Sequence, residues 1–94
     1  MSNNDNPIWD ELVGQFVVLD MSSPWVYVGR LVQWRADFLV LEEVDAHDLR
    51  DTKTTRERYV LECRRHGVQS NRSRAWVNLR DVVGVCLLQD VVLD

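Results

Sequence analysis

The sequence predicts an all-β protein: a small, strongly bent antiparallel barrel of five or six strands, with a short helix at its N-terminus. Its 94 residues are enough for one domain, spanning 1–94, and too few for two. Its apolar runs have the length of strands and are separated by turn-forming residues. A glycine, Gly29, interrupts the longest of these runs, and glycine at such a position is typical of a strand that bends sharply.

The N-terminal helix is predicted over residues 7–13 and follows a flexible N-terminus of residues 1–6. Asn6 is a favourable N-cap, and Pro7 suits the first helical position. Gly14 then ends the helix, as a residue in the left-handed region often does. A helix of about two turns must pack on a sheet to persist.

Three strands are predicted next, over residues 15–20, 25–34 and 38–44. Short turns join them, so consecutive strands form an antiparallel meander. We expect a bulge or a bend at Gly29, because a residue without a side chain lets the sheet curl at that point.

The middle of the chain is predicted to hold a long polar loop followed by a fourth strand. Residues 45–57 are polar and predict a long loop, which could contain one helical turn. Residues 58–65 alternate, with Tyr59, Leu61 and Cys63 on one side, and this period of two predicts a fourth strand.

The last third of the chain predicts two further strands. A flexible polar link over residues 68–74 leads into strands at 75–79 and 82–88, and residues 89–94 could extend the second of these. Cys63 and Cys86, which stand among apolar residues, are predicted to be buried structural thiols.

Composition narrows the functional classes. The net charge is -4 and the pI about 5.0, which together with 46% hydrophobic residues argues against a disordered or generally basic protein. Residues 53–74 nevertheless carry seven basic against two acidic side chains, a local charge that could attract an anion. The sequence has no apolar run long enough to span a membrane, no signal-peptide pattern and only two cysteines, which predicts a cytoplasmic protein.

Two segments resemble the motifs of a known family. Val28-Gly29-Arg30-Leu31, followed by a strand ending in Leu41-Glu42-Glu43, is similar to the first motif of the Sm-like (LSm) proteins, which belong to the broader SH3-like barrels. The strand pair over residues 77–85 resembles their second motif. The resemblance implies a bent barrel that assembles into RNA-binding rings. The RNA-contact motifs depart from the family's pattern: Phe38 stands where an asparagine is usual, and the Arg-Gly pair is missing.

These observations predict a single-stranded nucleic-acid site. Arginine binds phosphate through a planar pair of donors, and an aromatic ring can stack on a base. The candidate residues are Asp37, Phe38, Arg64, Arg65, Arg72 and Arg74. The alternative is that these arginines pair with Glu42, Glu43, Glu57 and Glu62 of this chain or of an adjacent subunit.

The residue pattern of the last strand predicts that the protein forms oligomers. This strand is apolar on both faces, which is unusual for an exposed sheet edge, so we expect it to pair with another subunit through Val83, Val85 and Leu87. The result would be a homo-oligomer, and a ring is the form that the resemblance implies. The alternative is that residues 89–94 or the N-terminal helix cover this edge.

Catalysis is not predicted. Cys63 and His66 would point to opposite faces of a strand, and no phosphate loop or nucleophile motif occurs. The residues Asp45, His47, Asp48 and Asp51 could bind a divalent metal, but their spacing matches no ordered metal motif, so we predict neither metal nor cofactor. The leading hypothesis is a non-catalytic, oligomeric RNA-binding barrel; the alternative is a protein-interaction or scaffold module without a role in nucleic-acid binding.

Overall fold

A computed structural model describes residues 8–51 and 53–93, so the predicted flexible segment 1–6 lies outside the described residues. Two helices and five strands make up the fold. In chain order they are α1 (Ile8–Leu12), β1 (Phe16–Met21), β2 (Trp25–Trp34), β3 (Phe38–Asp48), α2 (Arg56–His66), β4 (Arg72–Asn78) and β5 (Val82–Leu87). Short 3-10 turns cover Leu49–Asp51, Leu79–Asp81 and Leu88–Asp90.

The five strands form one antiparallel sheet in the order β4-β3-β2-β1-β5. The predicted class is therefore confirmed: the protein is mostly β, with five antiparallel strands and a short N-terminal helix. Within the part of the chain that the structure describes, β4 pairs only with β3, and β5 pairs only with β1. Each of these two edge strands therefore has one side that makes no strand pairing.

The sheet bends at Gly29, where β2 passes close to the backbone of β3. The register of β2 against β3 shifts between Val28 and Arg30, and Glu43, on the facing strand, has a φ of 53°. A Cβ atom at Gly29 would lie 3.2 Å from the carbonyl oxygen of Glu42 and equally close to Val44. Only glycine allows the two strands to approach this closely, which is the bend that the sequence predicted.

Side chains of alternate residues pack into two apolar clusters, one on each face of the sheet. Leu19 and Leu31 belong to the larger cluster, which α1 covers through Leu12. Val18 and Val28 belong to the smaller one. The smaller cluster is completed by α2, so both helices stabilise the sheet by burying apolar surface on it.

The prediction of a strand over residues 58–65 is wrong, because this segment is the helix α2. Thr55 is the N-cap, and its side chain accepts a hydrogen bond from the backbone N–H of Arg58. Val60 and Cys63, three positions apart, are both buried against the sheet. The alternating pattern had left Val60 on the polar face, whereas helical spacing buries it together with Cys63. Gly67, with a φ of 87°, ends the helix.

Other boundaries also differ from those predicted. The polar segment 45–57 is not one long loop, because β3 continues to Asp48, a 3-10 turn covers Leu49–Asp51, and α2 begins at Arg56. The link 68–74 is shorter than predicted, since β4 begins at Arg72. After β5 the chain forms a 3-10 turn and not an extension of the strand. No helix among the described residues is long and apolar enough to cross a membrane.

Candidate nucleic-acid interface

Two turns meet at one end of the sheet and form an open cavity. The turn between β2 and β3 is closed by the backbone N–H of Arg35, which donates to the carbonyl oxygen of Phe38 at 2.7 Å. The backbone N–H of Leu79 donates to the carbonyl oxygen of Asp37 at 2.9 Å and so joins this turn to the 3-10 turn Leu79–Asp81. The cavity between them measures about 510 Å³, and its lining consists of Ala36, Asp37, Phe38, Asn78, Leu79 and Arg80.

The polar groups of this cavity suit the recognition of a nucleotide. The Oδ1 atom of Asn78 accepts a hydrogen bond from the backbone N–H of Arg80 at 3.2 Å and so caps the 3-10 turn. The exposed guanidinium of Arg80 makes no hydrogen bond or ion pair with the rest of the described chain. Asp37 is exposed on the opposing turn. A guanidinium can donate to phosphate oxygens, and an amide and a carboxylate can bind base edges.

An exposed aromatic pair stands beside the cavity. The rings of Phe38 and Trp76 lie 6.2 Å apart in an edge-to-face arrangement, with an angle of 71° between their planes. Phe38 is 38% exposed and Trp76 is 62% exposed. Large exposed aromatic surface is costly to hydrate and is typical of a binding surface, where planar bases can stack on it.

One of the two predicted arginines on β4, Arg74, is already paired with a carboxylate. Arg74 donates hydrogen bonds to the carboxylate of Glu42, which also accepts from Arg30 at 3.3 Å. The hydrogen bond from Arg74 lowers the pKa of Glu42 below its ordinary value, although burial opposes it, and Arg30 lowers the pKa further. For Arg74 the structure thus has the internal ion pair that the sequence analysis left open as the alternative.

The other three nominated arginines lie away from the cavity. Arg72 is opposite Val44, six residues along β4 from Asn78, a separation of about 20 Å along the strand. Arg64 and Arg65 are on α2, where Arg65 lies 3.9 Å from Glu62 and Arg64 lines a different cavity. Of the six predicted residues, the structure brings Asp37 and Phe38 together in one cavity, and none of the four arginines lines it.

Sequence reasoning missed Trp76, Asn78 and Arg80 as site residues. A signal for Arg80 was present, because it is a basic residue in the short break between the last two predicted strands, 75–79 and 82–88. Trp76 gave no such signal, because an apolar residue within a strand is usually buried.

The predicted interface residues of β5 differ in exposure, because the register against β1 shifts between Val82 and Gly84. Val85 and Leu87 are opposite Leu19 and Val17 of β1, and both pack against the larger apolar cluster. Val83, by contrast, is 68% exposed. Val83 is thus the member of this set whose side chain is available to a neighbouring subunit, together with the unpaired side of the β5 backbone.

The two cysteines differ from each other. Cys63 is buried, as predicted, and burial raises the pKa of its thiol, which disfavours the thiolate that a nucleophile needs. Cys86 is exposed, so the prediction of a second buried thiol is wrong. Cys86 is opposite Val18 of β1 and lines an open cavity between the sheet and the first turns of α2.

The acidic segment that could have held a metal is used for internal contacts. Asp48 pairs with Arg50 at 2.8 Å, and this hydrogen bond lowers the pKa of the Asp48 carboxylate. The ring of His47 stacks on Tyr59 at 4.3 Å, and Asp45 accepts a hydrogen bond from Asn71. Among residues 8–51 and 53–93 there is no group of three or more His, Cys, Asp or Glu side chains placed to hold a metal ion.

Comparison with known proteins identifies the fold. No protein-family model matches this sequence, and no curated protein matches it. Among solved structures it is similar to the Sm protein of Pyrococcus abyssii, which was solved in complex with a uridine heptamer. The TM-score is 0.59 at 11% identity over 88% of this chain and 99% of that chain.

The chain is also similar to parts of a larger assembly. A chain of the NatC complex bound to CoA matches with a TM-score of 0.56 at 17% identity, over 93% of this chain and 92% of that one. A chain of the NatC complex bound to Gag peptide and CoA matches with a TM-score of 0.51 at 18% identity, over 81% and 84%. With five antiparallel strands, a helix before the first, and this likeness to an Sm protein, the chain has an Sm-like fold.

Proposed function

We propose that this protein is a non-catalytic, oligomeric protein that binds single-stranded RNA, with bases entering the cavity between the two joined turns. The observation that carries the proposal is the position of Phe38 and Arg80 on opposite walls of one open cavity. Phe38 supplies a stacking surface, and the unpaired guanidinium of Arg80 supplies a donor for phosphate. The uridine heptamer on the Sm protein of similar fold supports RNA as the ligand.

The charge of the protein sets the expected affinity. At a net charge of -4 the chain as a whole repels a polyanion, so attraction must come from local groups and from stacking. Stacking on an aromatic side chain stabilises binding by about 1–3 kcal/mol per base. A single cavity should therefore bind weakly, and tight binding would require several copies of the cavity in one assembly.

The two free sheet edges support such an assembly. One side of β4 and one side of β5 make no pairing within the described chain. Pairing of β5 with β4 of the next copy is a head-to-tail contact, and such contacts close into a ring when the rotation permits. Each copy would then contribute one cavity. Cytoplasmic location stays a prediction from the sequence.

The experiment is a fluorescence titration with a labelled uridine heptamer at several salt concentrations. Phe38→Ala should weaken binding roughly tenfold through the loss of stacking. Arg80→Gln should weaken binding and lower the salt dependence by about 0.7 in the slope of log K against log salt, the value for one phosphate contact on a single strand. Arg58→Gln, an exposed arginine of α2, is the matched control and should bind as the wild type does.

Two outcomes would contradict the proposal. One is the absence of saturable binding at low salt, where phosphate contacts are strongest. The other is an equal loss of affinity in Arg58→Gln and Arg80→Gln, which would mean that the positive charge acts without regard to the cavity.

Assembly is tested separately by native mass spectrometry. Val83→Lys places a charge on the exposed part of β5 and should yield smaller species than the wild type. Val92→Lys, at a residue that is 84% exposed and outside the strands, should leave the mass unchanged. A wild-type protein that is monomeric at micromolar concentration would contradict the ring.

A second candidate function, a protein-interaction module, is favoured by the same free edges. The chains of the NatC complex show that a similar fold occurs as part of a multi-protein assembly. Under this alternative the purified chain is a monomer that does not bind the uridine heptamer, and Arg80→Gln leaves the capture of a protein partner intact.

A further inference from the structure

A second cavity lies where α2 meets the beginning of β1 and the tail after β5. It measures about 450 Å³, a size typical of small-molecule sites, and it shares no lining residue with the cavity at Phe38. Its apolar lining includes Phe16, Val68 and Leu88. One wall comes from α2 and the residues just after it, the segment that the sequence analysis misread as a strand.

Arg64 is the unsatisfied group of this cavity. Its Nε atom is buried and has no hydrogen-bond partner. Its guanidinium forms no ion pair with any other described residue, whereas Arg30, Arg50 and Arg74 each pair with a carboxylate. A buried donor without an acceptor is unfavourable, and most of all on a charged group. A ligand that brings an oxygen acceptor to Arg64 would remove this cost.

The groups around Arg64 favour a ligand with a single negative charge over one with two. Glu43 lines the same cavity, although Arg30 partly offsets its charge from 3.1 Å. The C-terminal end of α2, which carries the negative end of the helix dipole, is also there. Both features repel a doubly charged phosphate more strongly than a singly charged carboxylate. A carboxylate, moreover, has the two coplanar oxygens that an arginine binds in parallel.

From these contacts we infer that the cavity binds a small amphipathic monocarboxylate. Its carboxylate pairs with Arg64, and its alkyl or aryl body lies against Phe16, Val68 and Leu88. Ser70 and Gln89, on the rim, supply a hydroxyl and an amide for a second polar contact. The two cavities have no residue in common, so this inference does not rest on the proposed RNA binding.

The test is an NMR titration of the full chain with hexanoate, hexanamide and inorganic phosphate as probes. Hexanoate should shift the backbone amide signals of Gln15, Ser70 and Gln89 saturably, with a Kd on the order of millimolar, as expected for so small a ligand. Hexanamide has the same body without the charge and should bind at least about tenfold more weakly. Phosphate should bind more weakly than hexanoate.

Substitutions of two arginines of α2 test whether hexanoate binds at Arg64. Arg64→Gln should lose hexanoate binding by at least about tenfold, whereas Arg58→Gln, at an exposed arginine of the same helix, should keep it. The inference is overturned if hexanoate gives no saturable shift, if hexanamide or phosphate binds as tightly, or if Arg64→Gln binds as the wild type does. The probe comparison uses wild-type protein, so it decides even where the variant unfolds. The uridine heptamer serves as a separate readout, since its binding should be the same with and without hexanoate.

Discussion

The backbone N–H of Leu79 donates to the carbonyl oxygen of Asp37 at 2.9 Å, and this hydrogen bond joins two turns that are 42 positions apart in the sequence. Because β4 lies beside β3 in the sheet, the turn that ends β4 comes to lie against the turn that begins β3. The candidate RNA site therefore depends on the strand order, and groups that stabilise either turn should affect both folding and binding.

Asn78 is the first such group, because its side chain caps the 3-10 turn that carries Arg80. Asn78→Ala removes the acceptor and should lower the free energy of unfolding by roughly 1 kcal/mol, the usual cost of a lost cap. It should also weaken binding of the uridine heptamer, since the amide lines the cavity. Urea unfolding and the fluorescence titration measure the two effects.

Asn78→Asp separates these roles. The aspartate keeps an oxygen that can accept from the N–H of Arg80, so stability should stay close to that of the wild type. Its negative charge beside Arg80 should nevertheless weaken RNA binding. Equal destabilisation by the two substitutions would show that the cap is not what Asn78 contributes.

Gly29 provides a test of the bend. In Gly29→Ala the new methyl group would lie 3.2 Å from the backbone of β3, at Glu42 and Val44. Overpacking of this kind costs about 1–3 kcal/mol, which exceeds the gain of about 0.4–1 kcal/mol from a stiffer unfolded chain. Gly84→Ala is the control, because its nearest neighbour would be a side-chain oxygen of Asp20 at an ordinary 3.5 Å. A Gly29→Ala protein as stable to urea as Gly84→Ala would contradict this account of the bend.

The first half of the fold follows from local patterns, and this explains why it could be predicted. Strands β1 to β3 are adjacent in sequence and in space, and the residue that bends them is a glycine within a strand-like run. The segment 58–65 was misread because Tyr59, Leu61 and Cys63 fit a period of two. Burial of Val60 against Val18, Val26 and Val28 decides for a helix, and that contact is between distant parts of the chain.

The candidate site likewise has one part that local sequence patterns predict and one part that depends on strand pairing. Asp37 and Phe38 are in a turn between neighbouring strands, where local reasoning finds them. Arg80 joins them only through the pairing of β4 with β3, which the alternation of residues does not reveal. The sequence identifies Arg74 as a candidate cation. Its pairing with Glu42 depends on the register between the same two strands.

Thr55 provides a test of α2, the helix that the sequence pattern predicted to be a strand. Thr55→Ala removes the oxygen that accepts from the N–H of Arg58 and should lower the free energy of unfolding by about 1 kcal/mol. Thr55→Ser keeps that oxygen and should cost much less. Urea unfolding followed by circular dichroism measures both variants. If residues 58–65 were a strand, the two substitutions would have the same effect, so an equal loss would contradict the helix.

Glu42 makes stability depend on pH. Arg74 and Arg30 lower the pKa of its carboxylate in the folded protein below the ordinary value of 4.5. The ion pairs therefore contribute fully above the unfolded-state pKa, and their contribution is lost as the pH falls through the lower folded-state pKa. The wild type should be more stable than Glu42→Gln at pH 6, and the difference should shrink toward zero as the acid form becomes populated.

The measurement is the urea midpoint of wild type and Glu42→Gln between pH 6 and pH 2.5. The expected difference is modest, because the pair is partly exposed to solvent, and salt should reduce it at pH 6. Glu11→Gln, at an exposed position of α1, is the matched control and should give no comparable pH-dependent difference. A difference between wild type and Glu42→Gln that stays constant down to pH 2.5 would mean that the carboxylate stabilises the protein by packing, since loss of its charge would then have no effect.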